Sequence, residues 1–180
     1  MSPPVKSARR RPPGGGFTLI ELVAVLVIVA VLAAAVAPSL QAMADTRAAM
    51  AGKQLLADLT FARQRAVATG TRTWVLFDAG AETWSLLAED PSDPGRAGAA
   101  TLTDPADGRP YAITLGTDPF VGVAITAVAF DGADEVGFDW LGRPLNAEEA
   151  ELAANGTVSL TGGHIVRVAT GTGHISYSAP

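Results

Sequence analysis

In a chain of 180 residues without cysteine, chemistry has to come from histidines, carboxylates and hydroxyls. Disulfides, thiolate metal sites and cysteine nucleophiles are excluded. The two imidazoles, His164 and His174, stand ten residues apart in neighbouring strand-like segments, with no third ligand at a metal-binding spacing. They read as strand-surface histidines. Asp90, Asp93, Asp104 and Asp107 fall in "EDPSDPG" and "TDPADGRP". Oxygen clusters suit calcium, but the alternate-residue spacing of a calcium loop is missing, so the stretch reads as a hydrated, turn-rich loop. No phosphate loop, dinucleotide fingerprint or nucleophile elbow occurs, and no cofactor or metal is expected. One carboxylate is out of place: Glu21.

Glu21 interrupts an apolar run from Phe17 to Ala37, twenty-one residues in which only it and Thr18 are polar. As a helix this run is roughly 30 Å long, the thickness of a bilayer's hydrocarbon. Lys6, Arg9, Arg10 and Arg11 precede it and no basic residue follows before Arg47, which places the N-terminus in the cytoplasm and the rest outside. A secretory signal peptide shares the basic leader, the apolar stretch and the small residues Ala33, Ala35 and Ala37. Against it, the run is long and cleavage after Ala37 would leave Pro38 first. The paired arginines are followed by Pro and Gly rather than the hydrophobic residues of a twin-arginine signal. A plain anchor has no use for Glu21, since a carboxylate within an apolar helix costs about 2.5 to 3.5 kcal/mol and marks a partner or a pathway. A cut between Gly16 and Phe17 would supply that partner. The new α-amine would stand one helical turn before Glu21, within reach of a neighbouring subunit's carboxylate.

The stretch "GGGFTLIELVAVLVIVAVLAAAVAP" resembles the N-terminal signal of type IV pilins and type II secretion pseudopilins. The resemblance implies a cytoplasmic leader, residues 1–16, removed after Gly16 by a prepilin peptidase that then methylates the amine of Phe17. The family's assembly glutamate falls on Glu21. Its helix proline falls on Pro38, which ends or kinks a helix by removing a hydrogen bond and clashing with the preceding turn.

The elements that carry these residues follow from pattern. Residues 17–38 are expected as a transmembrane, filament-core helix, and 39–70 as its amphipathic continuation. In the latter, Leu40, Met43, Ala44, Met50, Leu55, Leu59, Ala62 and Ala66 form an apolar stripe, with Asp45, Lys53 and Asp58 mostly off it. Arg63 and Arg65 are read as complements to the helix dipole and Gly70 as the C-cap. Residues 71–180 alternate like strands between Gly, Pro, Asp and Asn. They give a hairpin, 71–78 and 83–88, then a long mobile loop over 89–110, further strands over 111–140, and a closing pair joined by Gly162-Gly163. A short helix is allowed over 147–154. Trp74, Trp84 and Trp140 are expected in the core.

The fold expected is α+β and type IV pilin-like, a long N-terminal helix packed on an antiparallel β head. "LLADLTFARQRAVATGTRTWVLFD", "VGFDWLGRPLN" and "VSLTGGHIVRVATGTGHISY" resemble the H-type minor pseudopilins and the related FimT-like minor pilins. Residues 89–135 match least. The resemblance implies a non-enzymatic subunit of the pseudopilus, held in the inner membrane by a single pass with its head in the periplasm. Its partners would be prepilin peptidase, other major and minor pseudopilins, and the inner-membrane assembly platform. A FimT-like minor pilin serving pilus assembly or DNA uptake is the alternative. The net charge is −5, and residues 17–180 hold nine basic and eighteen acidic side chains, which disfavours phosphate binding by the head. An anchored periplasmic hydrolase would need a nucleophile and an acid beside His164 or His174.

Overall fold

The structure, a computed structural model, describes residues 17–105 and 107–180, and of residues 34–40 only the backbone. The chain divides into two compact units, Met1–Leu40 and Gln41–Pro180. Among the described residues the one α-helix, α1, runs over Leu19–Thr69. It stops where expected: Gly70 adopts a left-handed φ of 69° and its N–H closes the last turn on the carbonyl of Ala66 at 3.0 Å.

In the second unit ten strands make two antiparallel sheets. The first has the order β3-β2-β1-β6-β7, with β4 also paired to β2. These strands are β1 (Thr73–Asp78), β2 (Thr83–Ala88), β3 (Ala100–Thr101), β4 (Ala112–Thr114), β6 (Glu135–Phe138) and β7 (Pro144–Leu145). The second sheet has the order β10-β9-β8-β5, from β5 (Ile125–Ala129), β8 (Gly156–Leu160), β9 (His164–Val168) and β10 (Ile175–Ser178). The β1–β2 hairpin has the expected register, Asp78 opposite Thr83, and Asp78 caps its turn by accepting the N–H of Ala81 at 2.8 Å. At the other predicted turn, Gly162 and Gly163 both have φ near 80°, a region nearly closed to other residues. The loop there holds three residues, because Thr161–Gly163 form a 3-10 turn and Leu160 pairs with His164.

One apolar core lies between the helix and both sheets. It takes Ala48, Ala51, Leu55, Leu59, Ala62 and Ala66 from α1, Val75, Phe77, Trp84 and Leu86 from β1 and β2, and Val158, Leu160, Val166 and Val168 from β8 and β9. Alternation drives this: β8 and β9 bury every second residue and expose or half-expose the rest. The expected helix stripe is right over 55–66 and wrong at Met43, Ala44 and Met50, which are exposed. Leu40 lies outside the described side chains.

Two further expectations fail. No helix forms over 147–154; Glu151 instead bridges to Leu145, and Asn146 closes a turn by accepting the N–H of Ala150 at 2.9 Å. The segment 89–110, expected to be mobile, is pinned over residues 89–96. Arg96 donates to Glu135 at 2.6 Å and its backbone N–H to Glu149 at 2.7 Å, while Glu89 accepts the N–H groups of Arg72 and Gly95, both at 2.9 Å. Arg72 also pairs with Glu149. A loop rich in Pro and Gly is held here by charged side chains that lie far away in sequence, which local composition does not register.

Candidate functional site

The N-terminal part of α1 carries the residues singled out by the sequence. Thr18 caps it: the N–H of Glu21 reaches the Thr18 hydroxyl at 3.3 Å and the Thr18 carbonyl at 3.1 Å. Threonine at the cap with glutamate three residues on is the order of a capping box. It puts the Glu21 carboxylate in the first turn, where the positive end of the helix dipole favours an anion. Sequence reasoning treated Glu21 only as a charge in lipid and missed this local role, although "TLIE" shows it.

Around Glu21 the helix surface is apolar on every side. Phe17 is 80% exposed and Leu19 81%, and Leu22, Val25, Leu26, Ile28, Val29 and Leu32 are exposed as well. Apolar residues exposed all round a helix have no partner among the described residues and call for an apolar medium or other helices. Among the described residues no helix is long and apolar enough to cross a membrane; the described side chains of the apolar run end at residue 33. The leader 1–16 with Gly16, and the side chain of Pro38, lie outside the described residues.

The second unit holds two polar locks between α1 and the strands, and neither was expected. Asp58, placed off the apolar stripe by the sequence, is 1% exposed. Its carboxylate accepts from the Trp84 indole at 2.8 Å, from the Tyr111 hydroxyl at 2.9 Å and from the Gln54 amide at 2.9 Å. Burial pushes its pKa above the ordinary 3.8, and the three donors offset only part of that. Tyr111 is pushed up to about 12 by burial and by the Asp58 charge beside it. The available signal was Trp84 itself, since a buried indole N–H requires an acceptor.

The other lock corrects the reading of His164. Its imidazole is 1% exposed, because Val166 and Val168 turn inward and the period of two carries His164 to the same side. The Tyr177 hydroxyl lies 2.6 Å from Nδ1, and Nε2 lies 3.1 Å from the carboxylate of Asp45 on α1. The two rings stack at 5.8 Å. Gly52 makes room for this: a Cβ there would stand 2.5 Å from Cε2 of Tyr177. Gly52→Ala is therefore expected to destabilise the fold by about 1 to 3 kcal/mol, although alanine is the better helix former, and chemical denaturation measures it. His174, by contrast, is exposed.

An acid does then stand beside His164, as a hydrolase would require. Both ring nitrogens are engaged, however, and the ring is closed to solvent, so no nitrogen is left to take a proton from a substrate. The acidic loop also serves structure: Asp90 accepts from the backbone and hydroxyl of Ser92, which hold its carboxyl below the usual range. No group of side chains suited to a metal ion occurs among the described residues.

Two more expectations change. Arg63 is no dipole complement; it donates to the carbonyls of Gly142 at 2.9 Å and Thr172 at 3.1 Å, tying α1 to the β6–β7 and β9–β10 turns. Trp140 is no core residue but 49% exposed at that turn, beneath the guanidinium of Arg72 at 5.8 Å. The turn is rigid: Asp139 accepts the N–H groups of Leu141 and Arg143 at 2.9 and 2.8 Å and the Arg143 side chain at 2.8 Å. Burial pushes Asp139 upward, but these bonds and the Arg143 charge outweigh it and hold the carboxyl below its usual value.

No protein-family model matches the sequence, and no curated relative does. Two structures of the minor pseudopilin EpsH from the type II secretion system of Vibrio cholerae share its architecture. One, 13% identical, gives a TM-score of 0.55 over 76% of this chain and 96% of that one. The other, 12% identical, gives 0.54 over 74% and 96%. The fold is that of a minor pseudopilin. The type IV minor pilin FimU of Pseudomonas aeruginosa, 12% identical, superimposes less well, with a TM-score of 0.45 over 72% of this chain and 90% of that one. At 12 to 13% identity the likeness is one of fold.

Proposed function

We propose that this chain is a minor pseudopilin of a bacterial type II secretion system. It is made as a precursor held in the inner membrane by residues 17–38, with the leader in the cytoplasm and the head in the periplasm. Prepilin peptidase cuts after Gly16 and methylates Phe17. The mature subunit then joins a short periplasmic filament with major and minor pseudopilins at the inner-membrane assembly platform. The chain is a substrate of an enzyme and carries out no catalysis itself, a reading supported by the sealed His164. The observation that carries the proposal is the all-round apolar N-terminal helix, capped by Thr18 and bearing Glu21 in its first turn, on a chain with a pseudopilin-fold head.

In a filament, the apolar surfaces of neighbouring helices cover one another, and the Glu21 carboxylate meets the Phe17 amine of an adjacent subunit. A charge-assisted pair in an apolar setting fixes register, because a subunit displaced by one turn leaves both charges unmatched. Gly16→Leu places a bulky side chain at the scissile bond. The variant is expected to accumulate in the membrane at precursor mass and to be missing from filaments, as immunoblots of membrane and sheared-filament fractions would show. Normal maturation of that variant would count against recognition at Gly16.

A further inference from the structure

We infer that the solvent-facing stripe of α1 between Met43 and Phe61 docks the acidic head of a second copy of the chain. The inference rests on the filament reading above and adds to it a specific contact between heads. Met43, Arg47, Met50, Lys53, Ala57 and Phe61 recur at steps of three and four, so they share one side of α1, opposite the buried stripe from Ala48 to Ala66. Met43 and Met50 are 52% and 47% exposed, and a groove of about 310 Å³ lined by Ala42, Met43, Thr46 and Arg47 opens on this side. Two flexible thioethers beside two cations make an adaptable surface that combines apolar burial with attraction for negative charge. Neither Arg47 nor Lys53 forms an ion pair among the described residues.

The matching charge is on the same molecule. From residue 70 onward the chain holds fifteen acidic and five basic side chains, a net charge of −10, and four of those five bases are already ion-paired. The turns 78–82, 116–119 and 131–134 expose Asp78, Asp118, Asp131 and Asp134 and contain no Lys or Arg. They are gathered at one end of the first sheet, since Leu115 donates to the Glu82 carbonyl at 2.7 Å and Phe77 to the Asp134 carbonyl at 2.8 Å. A basic stripe on α1 and an acidic end on the strands are different surfaces of one unit, so their contact is head-to-tail. Contacts of that kind build open filaments wherever the rotation between copies does not close into a ring. Electrostatic complementarity of this sort sets register and suppresses wrong partners.

The absence of cysteine makes the test clean. Two differently tagged full-length copies are produced together in native membranes, one with Met50→Cys and one with Ala81→Cys, and treated with a flexible bismaleimide. A cross-linked pair carrying both tags is expected. Adding Arg47→Glu and Lys53→Glu to the first copy is expected to cut its yield by roughly tenfold or more. Adding Asp118→Lys and Asp134→Lys to the second copy is then expected to restore it. No cross-link with the native charges, or a yield indifferent to charge reversal, overturns the inference. Loss without reciprocal recovery assigns the stripe to some other acidic surface, anionic lipid included, and also overturns docking of a second copy. The N-terminal mass of the same samples separates this outcome from failure of the filament reading. A correctly matured chain that gives no cross-link refutes the docking alone.

Discussion

Glu21→Ala is expected to leave cleavage after Gly16 largely intact and to lower incorporation into filaments by roughly a hundredfold or more, because it strands the Phe17 ammonium among apolar helices without a counter-charge. The two effects separate because they depend on different features. In the proposed function, cleavage would depend on Gly16 and Phe17 in a peptidase site, whereas joining the filament would depend on the carboxylate. The capping geometry adds a control: since Glu21 also sits in the first turn capped by Thr18, its loss costs helix stability locally. Glu21→Gln keeps the size and the hydrogen-bonding oxygen but not the charge. If capping were the whole role, Gln would restore incorporation; if pairing is the role, Gln fails almost as fully as Ala. Quantifying subunit in sheared filaments against total membrane-bound subunit checks both.

Asp58→Ala is expected to cost about 3 kcal/mol of folding stability, a large share of the 5 to 15 kcal/mol typical of a domain. It removes three hydrogen bonds and leaves the Trp84 indole N–H without an acceptor inside the core. Denaturant unfolding followed by tryptophan fluorescence measures it directly, since Trp84 reports on the site. The pH dependence has a distinctive sign. The folded-state pKa of Asp58 is raised, so its contribution is fully present below the ordinary 3.8 and is lost as pH rises through the raised value. Asp139 has a lowered pKa, so its contribution is present above 3.8 and is lost as pH falls. Asp139→Asn is therefore expected to flatten the fall in stability on the acid side of the pH profile, and Asp58→Asn to remove an opposing slope.

The parts of the fold that were legible in the sequence are those set by local rules. The β1–β2 hairpin, the Gly70 cap and the positive φ of Gly162 and Gly163 each depend on a handful of adjacent residues and came out as expected, although the glycines sit in a three-residue loop rather than a two-residue primed turn. Contacts between distant residues were not legible. Asp58 looked like a surface acid because its acceptor role depends on Trp84 and Tyr111, 26 and 53 residues further along the chain. The loop over 89–110 looked mobile because Arg96 finds Glu135 and Glu149 only once the sheet has formed. His164 could have been placed correctly, since "HIVRV" buries its first, third and fifth residues in strict alternation. Met43 and Met50 belong to the expected apolar stripe yet stay exposed, because periodicity identifies a stripe without saying how far along the helix the strands cover it.

The N-terminal segment reverses this pattern. Its sequence signal is the strongest in the chain, and the exposed apolar side chains around Glu21 meet no partner among the described residues. Intact mass and N-terminal sequencing of the protein taken from its native membrane therefore bear most directly on whether a free amine exists to meet Glu21. A chain that begins at methylated Phe17 is the expected result; a chain that begins at Met1, or after Ala37, contradicts it.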